Sequence, residues 1–252
     1  MNIVINGMDQ PVEIKAGKPT ALRIYNQALY ARICRSFESG LGTEALEPYS
    51  IWDGETEVSP RDGTIVIGDP LDLPWDHRLL AQHLAERFIA CLQEDEETRQ
   101  TIDSQSQEIM KAIERIAFSF NSEYSFTKDW DLTKFIKLFG LEPEQDPGEP
   151  YIDSCIRFTE YIADMGFKGV IIFMNLGLFL TKSELKTFLD TIIFLNLNVL
   201  LLEGASYIPP KGFGGNIAID EDFVEDIKNE TSQNGVPLQE GICINGFGAV
   251  TF

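Results

Sequence analysis

Apolar and polar positions alternate through the first part of the chain. Residues 2–6 (NIVIN) and 12–15 (VEIK) each read as a strand, and Gly7-Met8-Asp9-Gln10-Pro11 between them has turn composition, so the pair predicts a hairpin. Residues 21–25 (ALRIY) predict a third strand. Asn26 then stands as the N-cap of a helix whose apolar face is Leu29, Ile33 and Phe37, stopped at Gly40. After a stretch containing Gly and Pro, residues 64–67 (TIVI) predict another strand, closed by Gly68-Asp69-Pro70.

From residue 76 to residue 120 the period changes to that of a helix. Leu80, Leu84, Phe88 and Cys91/Leu92 form one stripe. Ile102, Ile109, Ile113, Ile116 and Phe120 form another, close to a 3.5-residue repeat. Glu94-Asp95-Glu96-Glu97 between them reads as a solvated face or a break. A short helix is expected over 132–139, with Asp131 as N-cap and Gly140 as its stop, then an exposed loop rich in Pro and acids over 141–150. Ile152, Cys155, Ile156, Ile162 and Ala163 predict a further helix.

The last part returns to strand–helix–strand. Residues 170–174 (VIIFM) are an unbroken apolar run, as in a buried parallel strand. Thr181-Lys182-Ser183-Glu184 is a capping box, with Leu180 and Leu185 placed as its hydrophobic staple. Leu185, Phe188, Leu189 and Ile192 make the helix's buried face, and residues 199–202 form a second buried strand ending in Glu203. This spacing is that of a right-handed βαβ unit. The chain therefore reads as an α/β platform split by a helical insertion, without internal repeats.

Composition narrows the function. The 252 residues, 44% of them hydrophobic and 24% charged, are enough for a real core and exclude disorder of the whole chain. The formal net charge of −20 argues against a general nucleic-acid coat protein and leaves room for a local basic surface. Cys34, Cys91, Cys155 and Cys243 have no CxxC spacing, so zinc is not expected. The N-terminus does not read as a signal peptide and no apolar run is long enough to span a membrane, so the expected compartment is the cytoplasm.

Candidate chemistry is sparse. Ala16-Gly17-Lys18-Pro19-Thr20 resembles the end of a phosphate-binding loop, but Val12 replaces the first Gly, Pro19 replaces the magnesium-binding Ser/Thr, and a strand follows where a helix should. A β-turn is the simpler reading. Glu203 at the end of an apolar strand has the position of a Walker-B acid, although such residues are more often exposed or cap a neighbour. No GxSxG occurs, and neither His77 nor His83 has a fixed nucleophile beside it. Cys91 and Cys155 lie on apolar helical faces as packing residues.

The acids are not evenly spread. They gather in 142–164 and 220–240, whereas over 108–137 Glu108, Glu114, Glu123, Asp129 and Asp131 are balanced by Lys111, Arg115, Lys128, Lys134 and Lys137. Those five bases are candidates for a basic strip, against the plainer reading of a solvated helix face. Asn121, Glu123, Asp129 and Asp131 offer hard oxygen ligands suited to Ca²⁺, without EF-hand spacing; Asp131 also serves as a plain N-cap.

In combination these landmarks resemble the Csn-two family, the accessory CRISPR-associated (Cas) adaptation protein of type II-A CRISPR loci. The clearest stretch is 169–203, GVIIFMNLGLFLTKSELKTFLDTIIFLNLNVLLLE. Residues 121–138 (NSEYSFTKDWDLTKFIKL), the opening hairpin and Asp69-Pro70-Leu71 also fit. The resemblance implies a head domain similar to P-loop ATPases, without a working nucleotide site, over 1–76 plus 167–252, and an inserted helical leg over 77–166. Residues 229–252 extend past the family's usual end. It further implies a ring-shaped homotetramer that binds calcium and threads double-stranded DNA by its ends through a lysine-lined hole. Its role would be spacer acquisition, alongside the adaptation integrase and the RNA-guided effector nuclease. No enzymatic activity is implied. The DNA-binding candidates Lys111, Arg115, Lys128, Lys134 and Lys137 and the calcium candidates Glu123, Asp129 and Asp131 rest on this sequence, not on carried-over family positions. The competing expectations are a nucleotide-dependent ATPase or regulator on the same head, and a protein-binding scaffold.

Overall fold

A computed structural model describes residues 1–122, 124, 134–135, 138, 143–146, 148–205, 214–222 and 224–228. Two sheets organise them. The smaller has the order β2-β1-β4-β5, formed by β1 (Asn2–Ile5), β2 (Val12–Glu13), β4 (Tyr49–Asp53) and β5 (Thr56–Val58), all antiparallel. Alternation along β1 is realised directly: Ile3 and Ile5 are buried while Val4 faces out. The β4–β5 hairpin is an addition to the sequence reading, which passed over this stretch.

The larger sheet has six strands in the order β10-β9-β3-β8-β7-β6. They are β3 (Thr20–Ile24), β6 (Thr64–Ile67), β7 (Val170–Met174), β8 (Asn198–Gly204), β9 (Gly215–Ile219) and β10 (Glu225–Lys228). All neighbours are parallel except β10, which returns antiparallel on β9. β7 is buried at every position, as a strand covered on both faces must be.

The helices are α1 (Gln27–Ser39), the single turn α2 (Pro60–Gly63), α3 (Arg78–Glu94), α4 (Glu96–Ala117), α5 (Tyr151–Asp164) and α6 (Lys182–Leu195). Their ends follow the expected chemistry. Asn26 Oδ1 accepts from Leu29 N at 3.0 Å to open α1, and Gly40 in the left-handed region closes it. Thr181 and Glu184 form the reciprocal capping box of α6: Thr181 N donates to Glu184 Oε2 at 2.8 Å and Glu184 N donates to Thr181 Oγ1 at 3.3 Å. Asp95 breaks the helical run and caps α4.

The two faces of the large sheet carry separate cores. On one, Ile65, Ile171, Phe173, Val199 and Leu201 meet Cys155, Phe158 and Ile162 of α5 and Leu185, Phe188 and Ile192 of α6. On the other, Leu22, Ile172, Leu200 and Leu202 meet Ile33 and Phe37 of α1 and the inner face of the small sheet, Ile3, Ile5 and Ile51. Residues 77–166 lie between β6 and β7 in the chain, but their helices differ in packing. α5 contributes its buried face to the sheet's core, whereas the sequence reading grouped it with the insertion. α4 leaves Ile109, Ile113 and Ile116 exposed. No helix among the described residues is long and apolar enough to cross a membrane.

Candidate functional site

In an open parallel sheet the favoured place for a ligand is the crevice beyond the carboxyl ends of the strands. Here that edge is formed where β3, β7 and β8 finish. A cleft of about 390 Å³ lies there, walled by Ile24, Gln27, Tyr30, Asn175, Leu178 and Glu203.

Asn175, Tyr30 and Glu203 are each held by local geometry. Asn175 follows β7 with φ of 58°, a left-handed conformation that Asn tolerates, and its N–H bonds to Leu202 O at 3.0 Å. That bend turns the chain into the short 3-10 turn Leu176–Leu178. Tyr30 Oη, reaching up from α1, donates to Asn175 Oδ1 at 2.7 Å. Glu203 ends the apolar part of β8 and is 1% exposed. Its Oε1 accepts from Gly177 N at 2.9 Å, and Leu176 N–H also points to the carboxylate.

Burial dominates the electrostatics. It pushes the Glu203 carboxyl up from 4.5 to about 7, against the opposing pull of the two backbone N–H groups. Burial also raises the Tyr30 hydroxyl, which stays a neutral donor. The strand-end acid is therefore not solvated. It clasps a turn 26 residues earlier in the chain.

The sequence signals for nucleotide chemistry do not converge on this cleft. A phosphate-binding loop would lie between a strand's carboxyl end and the following helix. Between β3 and α1 the connection is Tyr25-Asn26 alone, with Tyr25 N bonded to Ile219 O at 2.8 Å and Asn26 used as a cap. The Gly17-Lys18 segment sits at the opposite edge of the sheet, in the turn before β3. Lys18 N donates to Lys15 O at 2.9 Å and Gly17 N to Leu197 O at 3.0 Å. Gly17 has φ of 68°, and a Cβ there would come within 2.9 Å of Asn196 Oδ1. Its glycine thus serves a tight turn against the end of α6, not a phosphate.

The other candidates settle into structural roles or lie elsewhere. His77 Nδ1 accepts from Leu79 N at 3.3 Å as the cap of α3, and burial keeps its imidazole below its ordinary pKa. His83 packs edge-on to Phe167. Cys34, Cys91 and Cys155 are free thiols; burial pushes Cys155 up to about 11. Lys111 and Arg115 occur one turn apart on exposed α4: Lys111 Nζ bonds Glu108 Oε1 at 2.8 Å and Arg115 Nε donates to Lys111 O at 3.3 Å. The Lys111 ammonium holds the Glu108 carboxyl below its usual range. Lys134 is exposed. Lys128, Lys137, Glu123, Asp129 and Asp131 lie outside the described residues, as do Cys243 and the rest of residues 229–252. Among the described residues no group of three or more His, Cys, Asp or Glu is arranged to hold a metal ion.

The sequence model of the family described as CRISPR-associated protein (Cas_Csn2) matches residues 53–223. The chain belongs to that family. A search of curated proteins finds no match. Among solved structures the chain is similar to the crystal structure of Stu0660 of Streptococcus thermophilus, at 17% identity and a TM-score of 0.54, covering 91% of this chain and 76% of that one. At that identity the likeness concerns the fold. A nucleotide-free ATP-binding cassette from an ABC transporter aligns over 93% of this chain and 94% of that chain, at 10% identity and a TM-score of 0.45, a level that carries no further weight. Membership in the Cas_Csn2 family was legible in the chain itself, chiefly in 169–203. The cleft was not, because its walls come from three separated segments.

Proposed function

We propose that this member of the Cas_Csn2 family is a non-enzymatic protein that binds double-stranded DNA by its ends as a ring of identical subunits and acts in CRISPR spacer acquisition, with Ca²⁺ fixing its shape. The observation that carries the reading is the match to the family over residues 53–223. The strand-end cleft is consistent with it: the two-residue connection between β3 and α1 has no room for a phosphate loop.

In this reading the two sheets with α1, α5 and α6 form a head related to P-loop ATPases, and α3 with α4 forms a helical leg. Ile109, Ile113 and Ile116 on α4 keep heptad-like spacing and are exposed, which suits pairing with another copy. Lys111, Arg115, Lys128, Lys134 and Lys137 contribute to a basic strip repeated by the ring's symmetry, neutralising phosphates without reading bases. Glu123, Asp129 and Asp131 are the proposed Ca²⁺ ligands, the cation offsetting repulsion between carboxylates. The acidic remainder of a chain of net charge −20 disfavours DNA on the outside. The adaptation integrase and the RNA-guided effector nuclease are the proposed working partners.

A gel-shift titration tests this directly. Linear duplex should bind in Ca²⁺ at low salt, a covalently closed circle of the same sequence should not, and log affinity should fall steeply with log salt. Failure to bind linear duplex in Ca²⁺ at low salt contradicts the proposal.

A further inference from the structure

The strand-end cleft holds more polar chemistry than a sealed relic of a nucleotide site would need. Its volume of about 390 Å³ falls within the roughly 300–1,000 Å³ of small-molecule pockets. Its walls combine apolar surface, from Ile24, Leu178 and the Tyr30 ring, with three hydrogen-bonding side chains, Gln27, Asn175 and Glu203. Clasping the Leu176–Leu178 turn requires only an acceptor, which an uncharged amide supplies without the cost of burying an ionisable group. The carboxyl placed here has further acceptor capacity beyond the bonds from Gly177 and Leu176.

The ligand class follows from those groups. A phosphate is disfavoured, because Glu203 lies in the wall and the β3–α1 connection offers no nest of amides. A bare cation is disfavoured as well, since backbone N–H groups already point at the carboxylate. A planar, uncharged ligand that donates to a carboxylate and accepts from an amide satisfies all three groups. Asn175 has its Oδ1 engaged by Tyr30, which leaves its NH₂ as the donor. Gln27 at the exposed mouth offers a second amide.

We propose that this cleft binds the base of an amino-bearing nucleoside, with Glu203 accepting from the exocyclic amino group and Asn175 and Gln27 donating to the base's acceptors. Guanosine is the strongest ligand of the class, because its ring N–H and amino group present two adjacent donors to one carboxylate. Uridine is the weakest, because two carbonyl oxygens flank its single N–H and repel the carboxylate. The apolar wall takes the face of the base. This inference does not depend on the DNA-binding proposal, since the cleft lies at the strand ends of the sheet and not on α4.

The test is a titration of the full chain with guanosine, cytidine, adenosine and uridine, followed by ligand-observed NMR and calorimetry. At pH 8.5, where Glu203 is ionised, the three amino-bearing nucleosides should bind at least about tenfold more tightly than uridine, the worth of one hydrogen bond to a charged group. Glu203→Gln should remove that preference. Leu178→Trp, at a residue 69% exposed, should narrow the mouth and weaken every nucleoside without disturbing the core. Absence of binding at millimolar nucleoside overturns the proposal. So does an unchanged preference in Glu203→Gln, undiminished binding in Leu178→Trp, or tighter binding of GTP than of guanosine.

Discussion

Replacing Glu203 by Gln removes an ionisation from a side chain that is 1% exposed, while keeping an acceptor for Gly177 N–H. In the folded chain burial raises this carboxyl from 4.5 to about 7. Each tenfold change in proton affinity is worth about 1.4 kcal/mol, so ionising it costs the fold on the order of 3 kcal/mol. The sign follows from the raised value. The protonated form's contribution is fully present below about pH 4.5 and is lost as pH rises through about 7. The nearby Tyr30 hydroxyl is raised by burial and stays neutral throughout this window. Gln escapes the ionisation penalty and, like the protonated acid, keeps a carbonyl acceptor for the turn at every pH. The variant should therefore gain in stability relative to the parent as pH rises from 5 to 8.5. The change in their difference between the two pH values should be about 2.5 kcal/mol, because part of the effect is already spent at pH 5. Urea denaturation of both proteins at the two pH values measures it, and every other titrating group cancels in the comparison. Stability profiles that stay parallel to within about 0.5 kcal/mol would refute the assignment of a raised, buried acid.

Other perturbations test the frame around the cleft. Phe158→Ala empties a fully buried site between the sheet and Trp75, whose ring lies edge-on at 5.0 Å, and should cost about 3–5 kcal/mol in chemical denaturation. Thr181→Ala removes one arm of the α6 capping box and should cost about 1 kcal/mol, read as a lowered thermal midpoint. Lys18→Ala should leave any nucleotide affinity unchanged, because its turn lies at the edge of the sheet away from the cleft; a loss of nucleotide binding in calorimetry would restore the ATPase reading.

Local signals carried most of the fold. Period-two alternation placed β1, the unbroken apolar run placed β7, and the Asn26, Gly40 and Thr181–Glu184 caps placed the ends of α1 and the start of α6. The β4–β5 and β9–β10 hairpins were not legible, because these short strands are specified by the free edges of β1 and β3 that they complete. Helical periodicity in 152–163 was clear, but it could not show that α5 packs on the sheet rather than extending the insertion. Glu203 was visible as a strand-end acid. Its burial was not, because the residues that cover and clasp it, Leu176 and Gly177, are distant in sequence. The Gly17-Lys18 match, read in the sequence as a β-turn because Val12, Pro19 and the following strand break the phosphate-loop pattern, is a β-turn at the edge of the sheet away from the cleft.

The most direct measurement of the DNA proposal compares a linear duplex with free ends to the same duplex carrying a bulky protein on each end, both in Ca²⁺ at low salt. A ring threaded from the ends requires that the open duplex binds and that blocking both ends abolishes binding. Equal affinity for the open and blocked duplexes would contradict entry by DNA ends.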